Sequence, residues 1–225
     1  ESERLKVSVR DKTKVPVSLV YKKGIDLKNS PLLIYGYGSY GAIIDAAFRT
    51  SIIPLLDRGF IFAIAHIRGG SEMGRKWYDD GKMLRKMNTF FDFIDVTKSL
   101  TNLNYGNKEQ LFAMGGSAGG LLMGAVINLE PELYKGIISA VPFVDVLTTM
   151  SDESIPLTTF EYKEWGNPAN EEEYNYIKQY SPYDNIKPSN YPSVLVTSSL
   201  HDSQVQYYEP AKYVPKLREN STSDN

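Results

Sequence analysis

The order of apolar and polar residues divides the chain into short strands and helices. Two segments near its start, 4–10 and 15–21, alternate apolar and polar residues around the polar stretch 11–14. This alternation predicts a β-hairpin. Later apolar runs are typical of buried strands. They cover residues 32–37, 60–66, 111–114, 136–141 and 193–197.

Helical spacing of apolar residues follows most of these runs. The predicted helices cover residues 52–57, 89–100, 121–128 and 209–218, and Asn88–Thr89 is the expected cap of the second. Strand–helix alternation after an antiparallel opening indicates an α/β fold, a mostly parallel sheet with helices on both faces. Segment 145–192 does not continue the strand–helix alternation. We expect it to form an excursion from the sheet, on the cap side or around a pocket. The polar tail 220–225 is expected to fray.

The length and composition of the chain argue against several classes of protein. A length of 225 residues fits a single domain, 1–225. The net charge of −2 argues against a nucleic-acid partner, and no apolar run approaches the ~20 residues that span a bilayer. The chain has no cysteine, which removes disulfides and thiolate metal sites and suits a reducing compartment. We therefore expect a cytoplasmic protein without metal or cofactor; the composition leaves its oligomeric state open.

The segment Gly115–Gly120, Gly-Gly-Ser-Ala-Gly-Gly, is the strongest chemical signal. It joins a predicted strand to a predicted helix, the setting that makes Gly-x-Ser-x-Gly a nucleophile elbow. Ser117 is then the candidate nucleophile. The N–H of Ala118, at the helix start, is a candidate oxyanion donor. The alternative is a glycine-rich turn with a bystander serine.

The orienting acid should follow a later strand, in the chain order serine, acid, histidine. Asp202 lies in the loop after 193–197 and is the candidate, the alternative being an aspartate that caps a turn. His66 and His201 are the only histidines. His66 precedes the serine and ends a buried strand, and His201 adjoins Asp202, so neither is well placed as the base. The α/β-hydrolase fold expected here thus lacks its C-terminal part, and we expect the 225 residues alone to be nearly inactive.

The loop after the strand 32–37 can supply a second oxyanion donor. It reads Tyr-Gly-Tyr-Gly-Ser-Tyr-Gly from residue 35 to residue 41. The Tyr37 phenol can act there as a backbone N–H would. Aromatic packing in a flexible loop is the alternative explanation.

These motifs, with others in collinear order, resemble the catalytic domain of the prolyl oligopeptidase family of serine peptidases, in particular its oligopeptidase B branch. The matching stretches are 35–41, 68–74, 115–120, 141–146, 152–159, 165–168, 180–185 and 201–205. The resemblance implies a serine oligopeptidase that forms an acyl-enzyme with short peptides. It implies Ser117 as nucleophile, Asp202 as acid, and Tyr37 with the Ala118 N–H as oxyanion donors. It also implies an N-terminal β-propeller and a C-terminal segment with the triad histidine, both outside these residues.

Cleavage after arginine or lysine is the specificity that the resemblance implies. In the family pattern, paired carboxylates hold the basic side chains of the substrate. Glu161 and Asp45 match one member of each pair, but Lys163 and Ala47 stand where the second carboxylates would be. A lysine beside Glu161 is expected to weaken the preference for arginine. Glu164 could replace the missing carboxylate if the loop shifts.

Two other functional classes stay open. A related esterase or acylaminoacyl hydrolase would prefer small esters to arginyl or lysyl peptides. A catalytically silent family member or an inert excised domain would hydrolyse neither.

Overall fold

A seven-stranded sheet forms the centre of the computed structural model, which describes residues 1–223. Its order is β1-β2-β4-β3-β5-β6-β7; β1 and β4 are antiparallel to β2, and the other pairs are parallel. The strands are β1 (Ser2–Ser8), β2 (Lys14–Val20), β3 (Leu32–Tyr35), β4 (Ile61–Ala65), β5 (Leu111–Gly116), β6 (Gly136–Ala140) and β7 (Ser193–Thr197). This confirms the predicted hairpin and the mostly parallel α/β sheet.

Eight α-helices connect or follow these strands within residues 1–223. They are α1 (Ile53–Asp57), α2 (Arg75–Asp79), α3 (Met87–Asn102), α4 (Ala118–Leu129), α5 (Val146–Ser151), α6 (Thr158–Trp165), α7 (Glu171–Tyr180) and α8 (Tyr208–Asn220). None of the helices in this part of the chain combines the length and apolar character needed to cross a bilayer.

Each face of the sheet has its own apolar cluster, because successive residues of a strand point to opposite sides. Leu32 and Ile34 join the larger cluster, which includes the buried residues of α3 and α4. Leu33 joins a smaller cluster with Phe62 and Ile64, against which the side chains of α1 pack. Helices therefore cover both faces, as predicted, and the carboxyl ends of β3, β5 and β7 meet at one edge.

The predicted start of α3 is wrong. The helix begins at Met87, two residues before the expected position. Asn88 donates its side-chain N–H to Asp80 O, and the Thr89 hydroxyl donates to the carbonyl oxygens of Arg68 and Gly81. Both polar side chains therefore bind the preceding loops instead of capping the helix.

The predicted excursion 145–192 contains α5, α6 and α7, and residues of α5 and α6 lie beside Ser117 at the end of β5. The first residues of the tail do not fray: Thr222 N–H donates to Ser189 O at 2.9 Å, and Ser221 pairs with Ser189. Asp224 and Asn225, the rest of the predicted frayed tail, lie outside the described residues.

Candidate active site

Ser117 occupies a sharp turn between β5, which ends at Gly116, and α4, which begins at Ala118. Its backbone has φ +57° and ψ −119°, a combination that side-chain-bearing residues rarely adopt. The strained turn is held from both sides. Ser117 N–H donates to Ala140 O at 2.9 Å, and its carbonyl accepts from Gly120 N–H at 2.8 Å. This is the predicted elbow geometry.

The neighbouring glycines are required by close backbone approach. A Cβ atom on Gly115 would lie 2.3 Å from Gly119 O, and one on Gly120 would lie 2.4 Å from Pro142 Cα. Side chains at these positions would push α4 away from β5 and β6. The glycines therefore fix the angle at which the chain turns from strand to helix around Ser117.

A cavity of about 320 Å³ opens beside Ser117. Its wall comes from the loop after β3, from the elbow, from the α5–α6 region, and from the loop before α8. The lining residues that matter for the argument below are Tyr37, Tyr40, Ser117, Ala118, Phe143 and Glu161.

Tyr37 and Ala118 both lie on the cavity wall with Ser117, as predicted for two oxyanion donors. Burial raises the pKa of the Tyr37 phenol above its ordinary value, and its interaction with the Ser117 hydroxyl opposes that rise. The phenol is therefore protonated at neutral pH and can donate a hydrogen bond. Ala118 is the first residue of α4, where N–H groups have no partner inside the helix. A developing oxyanion between these groups would meet two donors.

Asp202 lies in the loop after β7, where the sequence placed the candidate acid. Its Oδ1 accepts the N–H groups of Gln204 and Val205, each at 2.9 Å. Gln204 and Val205 in turn line the cavity. The carboxylate is thus fixed by its own loop next to the site. The same bonds are those of a turn cap, the alternative role for Asp202.

Neither histidine lines the cavity. His66 is 2% exposed, with Nε2 2.8 Å from Ser18 Oγ and Nδ1 3.5 Å from Glu72 Oε1. His201 is exposed on the loop after β7. Both positions agree with the expectation that neither histidine is the base.

Glu161 lies on α6 with its side chain at the cavity. Its Oε2 accepts the Tyr40 hydroxyl at 2.9 Å and the Trp165 indole N–H at 2.6 Å. Two neutral donors therefore stabilise this carboxylate, and no cationic side chain among residues 1–223 forms a salt bridge with it. The predicted substrate-binding residue is available for a positive charge.

Glu164 has a different position, buried and away from the cavity wall. Oε1 accepts Tyr40 N–H at 2.9 Å, and Oε2 accepts the Tyr78 hydroxyl at 2.7 Å. Lys86 Nζ lies 4.0 Å from Oε1. These contacts engage both oxygens inside the protein, so the position gives no support to Glu164 as a replacement carboxylate.

Lys163 and Asp45 also lie elsewhere than the sequence pattern suggested. Lys163 is exposed on α6, and residues two apart on a helix do not share a face, so it does not lie beside Glu161. The weakening of arginine recognition expected from Lys163 therefore loses its physical basis. Asp45 lies on an exposed loop and does not line the cavity.

Sequence reasoning did not select Tyr40, Phe143 and Thr149, which also line the cavity. Tyr40 belongs to the tyrosine-rich loop and could have been found there. Phe143 follows the strand after the elbow, and its N–H donates to Ser117 O at 3.2 Å. Thr149 has no sequence signal, since it reaches the site only through the packing of α5.

Comparison with known proteins agrees with this geometry. The model of the prolyl oligopeptidase family matches residues 46–224. Dipeptidyl aminopeptidase BI of Pseudoxanthomonas mexicana is 58% identical over 98% of this chain, and protease 2 of Moraxella lacunata is 52% identical over 99%. These matches cover 31% and 32% of the two relatives, so the chain spans about a third of their length.

Solved structures give the same result. Oligopeptidase B from Leishmania major matches with a TM-score of 0.98 at 52% identity, over 100% of this chain and 32% of its own. Oligopeptidase B from Trypanosoma brucei, solved with covalently bound antipain, matches with a TM-score of 0.98 at 50% identity, again over 100% of this chain and 32% of its own. The resemblance seen in the sequence is thereby confirmed, and the chain belongs to the prolyl oligopeptidase family.

Proposed function

We propose that the protein is a serine oligopeptidase that cleaves short peptides after basic residues through an acyl-enzyme. The observation that carries this proposal is the strained turn at Ser117, which opens onto a cavity that also contains Glu161. A nucleophile and an uncompensated carboxylate in one cavity suit a peptide with a cationic side chain next to the scissile bond.

In the proposed reaction, Ser117 Oγ attacks the scissile carbonyl and its proton passes to a histidine. We place that histidine outside the described residues, because His66 and His201 do not reach the cavity. The Tyr37 hydroxyl and Ala118 N–H would stabilise the oxyanion. Collapse of the tetrahedral intermediate expels the amine, which takes the proton from the histidine, and water then hydrolyses the ester. Asp202 would orient the histidine.

The relatives support the covalent step and leave the mode of cleavage open. The Trypanosoma brucei oligopeptidase B holds antipain covalently, which fits a nucleophilic side chain in this family. The relative from Pseudoxanthomonas mexicana is a dipeptidyl aminopeptidase, so release of dipeptides from a free N-terminus is a second candidate mode. Mass spectrometry of a peptide with internal arginines and a blocked N-terminus separates the two modes, because only internal cleavage survives the block.

A fluorophosphonate probe tests the nucleophile. In the full-length protein the probe should label Ser117, and Ser117→Ala should abolish both labelling and peptide hydrolysis. Ser8→Ala, at an exposed position on β1, is the matched control and should leave both unchanged. Labelling that survives Ser117→Ala would refute the assignment. A higher kcat/KM for small neutral esters than for arginyl peptides would favour the esterase alternative.

A further inference from the structure

Lys86 is a lysine buried behind the loop that carries Tyr37. It lies at the start of α3 and is 1% exposed. Its Nζ donates to Gly38 O at 2.6 Å and to Ser39 Oγ at 2.7 Å. Both acceptors belong to the two residues that follow Tyr37. The ammonium therefore holds the loop directly beside the predicted oxyanion donor.

The loop needs such support because its backbone is strained. Tyr40 has φ +58°, a conformation that costs free energy in a residue with a side chain. The far side of the loop is fixed by Gly41 N–H, which donates to Gly69 O at 2.9 Å. On the near side, Ser39 is fully buried against Lys86. Tyr37 is thus connected to a segment that is anchored at both ends.

The groups facing Lys86 come from several elements. Glu164 of α6 lies 4.0 Å away, and the Trp165 ring centre lies 4.9 Å away. Around Glu164 are the Tyr40 N–H, the Tyr78 phenol and, from α7, the buried Tyr180 phenol. Burial lowers the pKa of Lys86 to about 8, and the charge of Glu164 opposes that fall. The ammonium therefore loses its proton within the pH range commonly used for enzyme assays.

We propose that Lys86 is a positioning residue for the reaction, whose ammonium fixes the Gly38–Ser39 segment and thereby directs the Tyr37 phenol to the cavity beside Ser117. This inference rests on the proposed function. An apolar side chain would fill the same space without the cost of desolvating a charge. What the ammonium adds at this position is two directed, charge-assisted hydrogen bonds. Deprotonation weakens those bonds and should release the loop.

The test measures kcat and KM of the full-length protein for an arginyl peptide from pH 6 to pH 10. Lys86→Met keeps the length of the side chain and removes its charge. It should lower kcat by about 10- to 100-fold, as expected for a misplaced catalytic group, with KM within about threefold. The wild-type rate should decline as the pH rises through about 8, and this alkaline decline should be absent in Lys86→Met. Lys98→Met removes an exposed lysine from the same helix and should change neither kcat nor the pH profile.

A folded Lys86→Met protein with a wild-type kcat, or with the alkaline decline intact, would overturn the inference. If this variant does not fold, Ser39→Ala decides, since it removes one acceptor and only one atom. Ser39→Ala should lower kcat and move the alkaline decline to lower pH; no change in either would overturn the inference. Hydrolysis that survives Ser117→Ala would instead overturn the proposed function, so the two failures are distinguishable.

Discussion

The buried carboxylate of Glu209 should make the stability of this protein fall as pH rises. Glu209 lies in the first turn of α8 and is 1% exposed. Its Oε2 accepts the N–H groups of Val144 and Asp145, and its Oε1 accepts the Thr149 hydroxyl at 2.6 Å. Burial raises the pKa of Glu209 from 4.5 to about 7; the three hydrogen bonds lower it, and the nearby Asp145 raises it.

The direction in which stability changes with pH follows from comparing the pKa of Glu209 in the folded and unfolded chain. The folded pKa lies above the unfolded value, so the folded state retains its proton where the unfolded state has lost it. The contribution of protonated Glu209 to the stability of the folded state is complete below pH 4.5. It falls as the pH rises toward 7 and changes no further above that. A shift from 4.5 to about 7 corresponds to about 3 kcal/mol at 1.36 kcal/mol per pKa unit.

Glu209→Gln tests this reasoning with little change in shape. The amide oxygen can accept the two backbone N–H groups, and the amide N–H₂ can donate to the Thr149 hydroxyl, which can also act as acceptor. Free energies of unfolding in urea, followed through Trp77 and Trp165 from pH 4 to pH 8, give the difference between wild type and variant. The free energy of unfolding of the wild type minus that of the variant should fall by about 3 kcal/mol between pH 4.5 and pH 7.

The control is Glu219→Gln, at an exposed position on the same helix. It should show no comparable change of the difference with pH. A flat difference curve for Glu209→Gln, or one that rises with pH, would refute the argument that burial sets the ionisation of this carboxylate.

Three further predictions concern the site. Asp202→Asn in the full-length protein should reduce kcat by roughly 10⁴-fold with little change in KM, because an amide stabilises the wrong histidine tautomer; steady-state kinetics that stay within a few-fold of wild type would assign the acid to another carboxylate. Glu161→Gln should lower the ratio of kcat/KM for arginyl over neutral peptides by about 10- to 100-fold, because losing a charge-assisted contact costs about 1.5–3 kcal/mol. Lys163→Glu should leave that ratio within about twofold, and a large increase would show that Lys163 does face the substrate.

The sequence predicted the parts of the fold that depend on local pattern. The buried run ending at Gly116, the glycines around Ser117 and the apolar α4 are each visible within about 15 residues. The strand before Asp202 is visible for the same reason. These features need only a strand period, a helix period and a tight turn.

Helix α6 shows why the rest of the site could not be predicted. Its Phe160 is 82% exposed, whereas Glu164 is buried, the reverse of the usual pattern. The helix also follows Leu157, which has φ +78° and provides no side-chain cap. Glu164 is stable inside only because Tyr40, Tyr78 and Lys86 reach it from distant parts of the chain. The buried residues of α6 are Thr158, Glu164 and Trp165, and apolar periodicity cannot detect a helix in which two of the three buried residues are polar.

The contacts of Tyr40 bear on how the site could recognise a basic residue. Its N–H binds Glu164, its hydroxyl binds Glu161, and its ring packs edge-on against Trp165 at 5.5 Å. Within the described part of the chain, hydrogen bonds reach Glu161 at Oε2, which leaves Oε1 for a substrate. A guanidinium gains most from a fork of acceptors, whereas an ammonium needs only a point of negative charge. A site built on one such oxygen selects for charge more than for the shape of arginine, so arginine and lysine should compete on nearly equal terms.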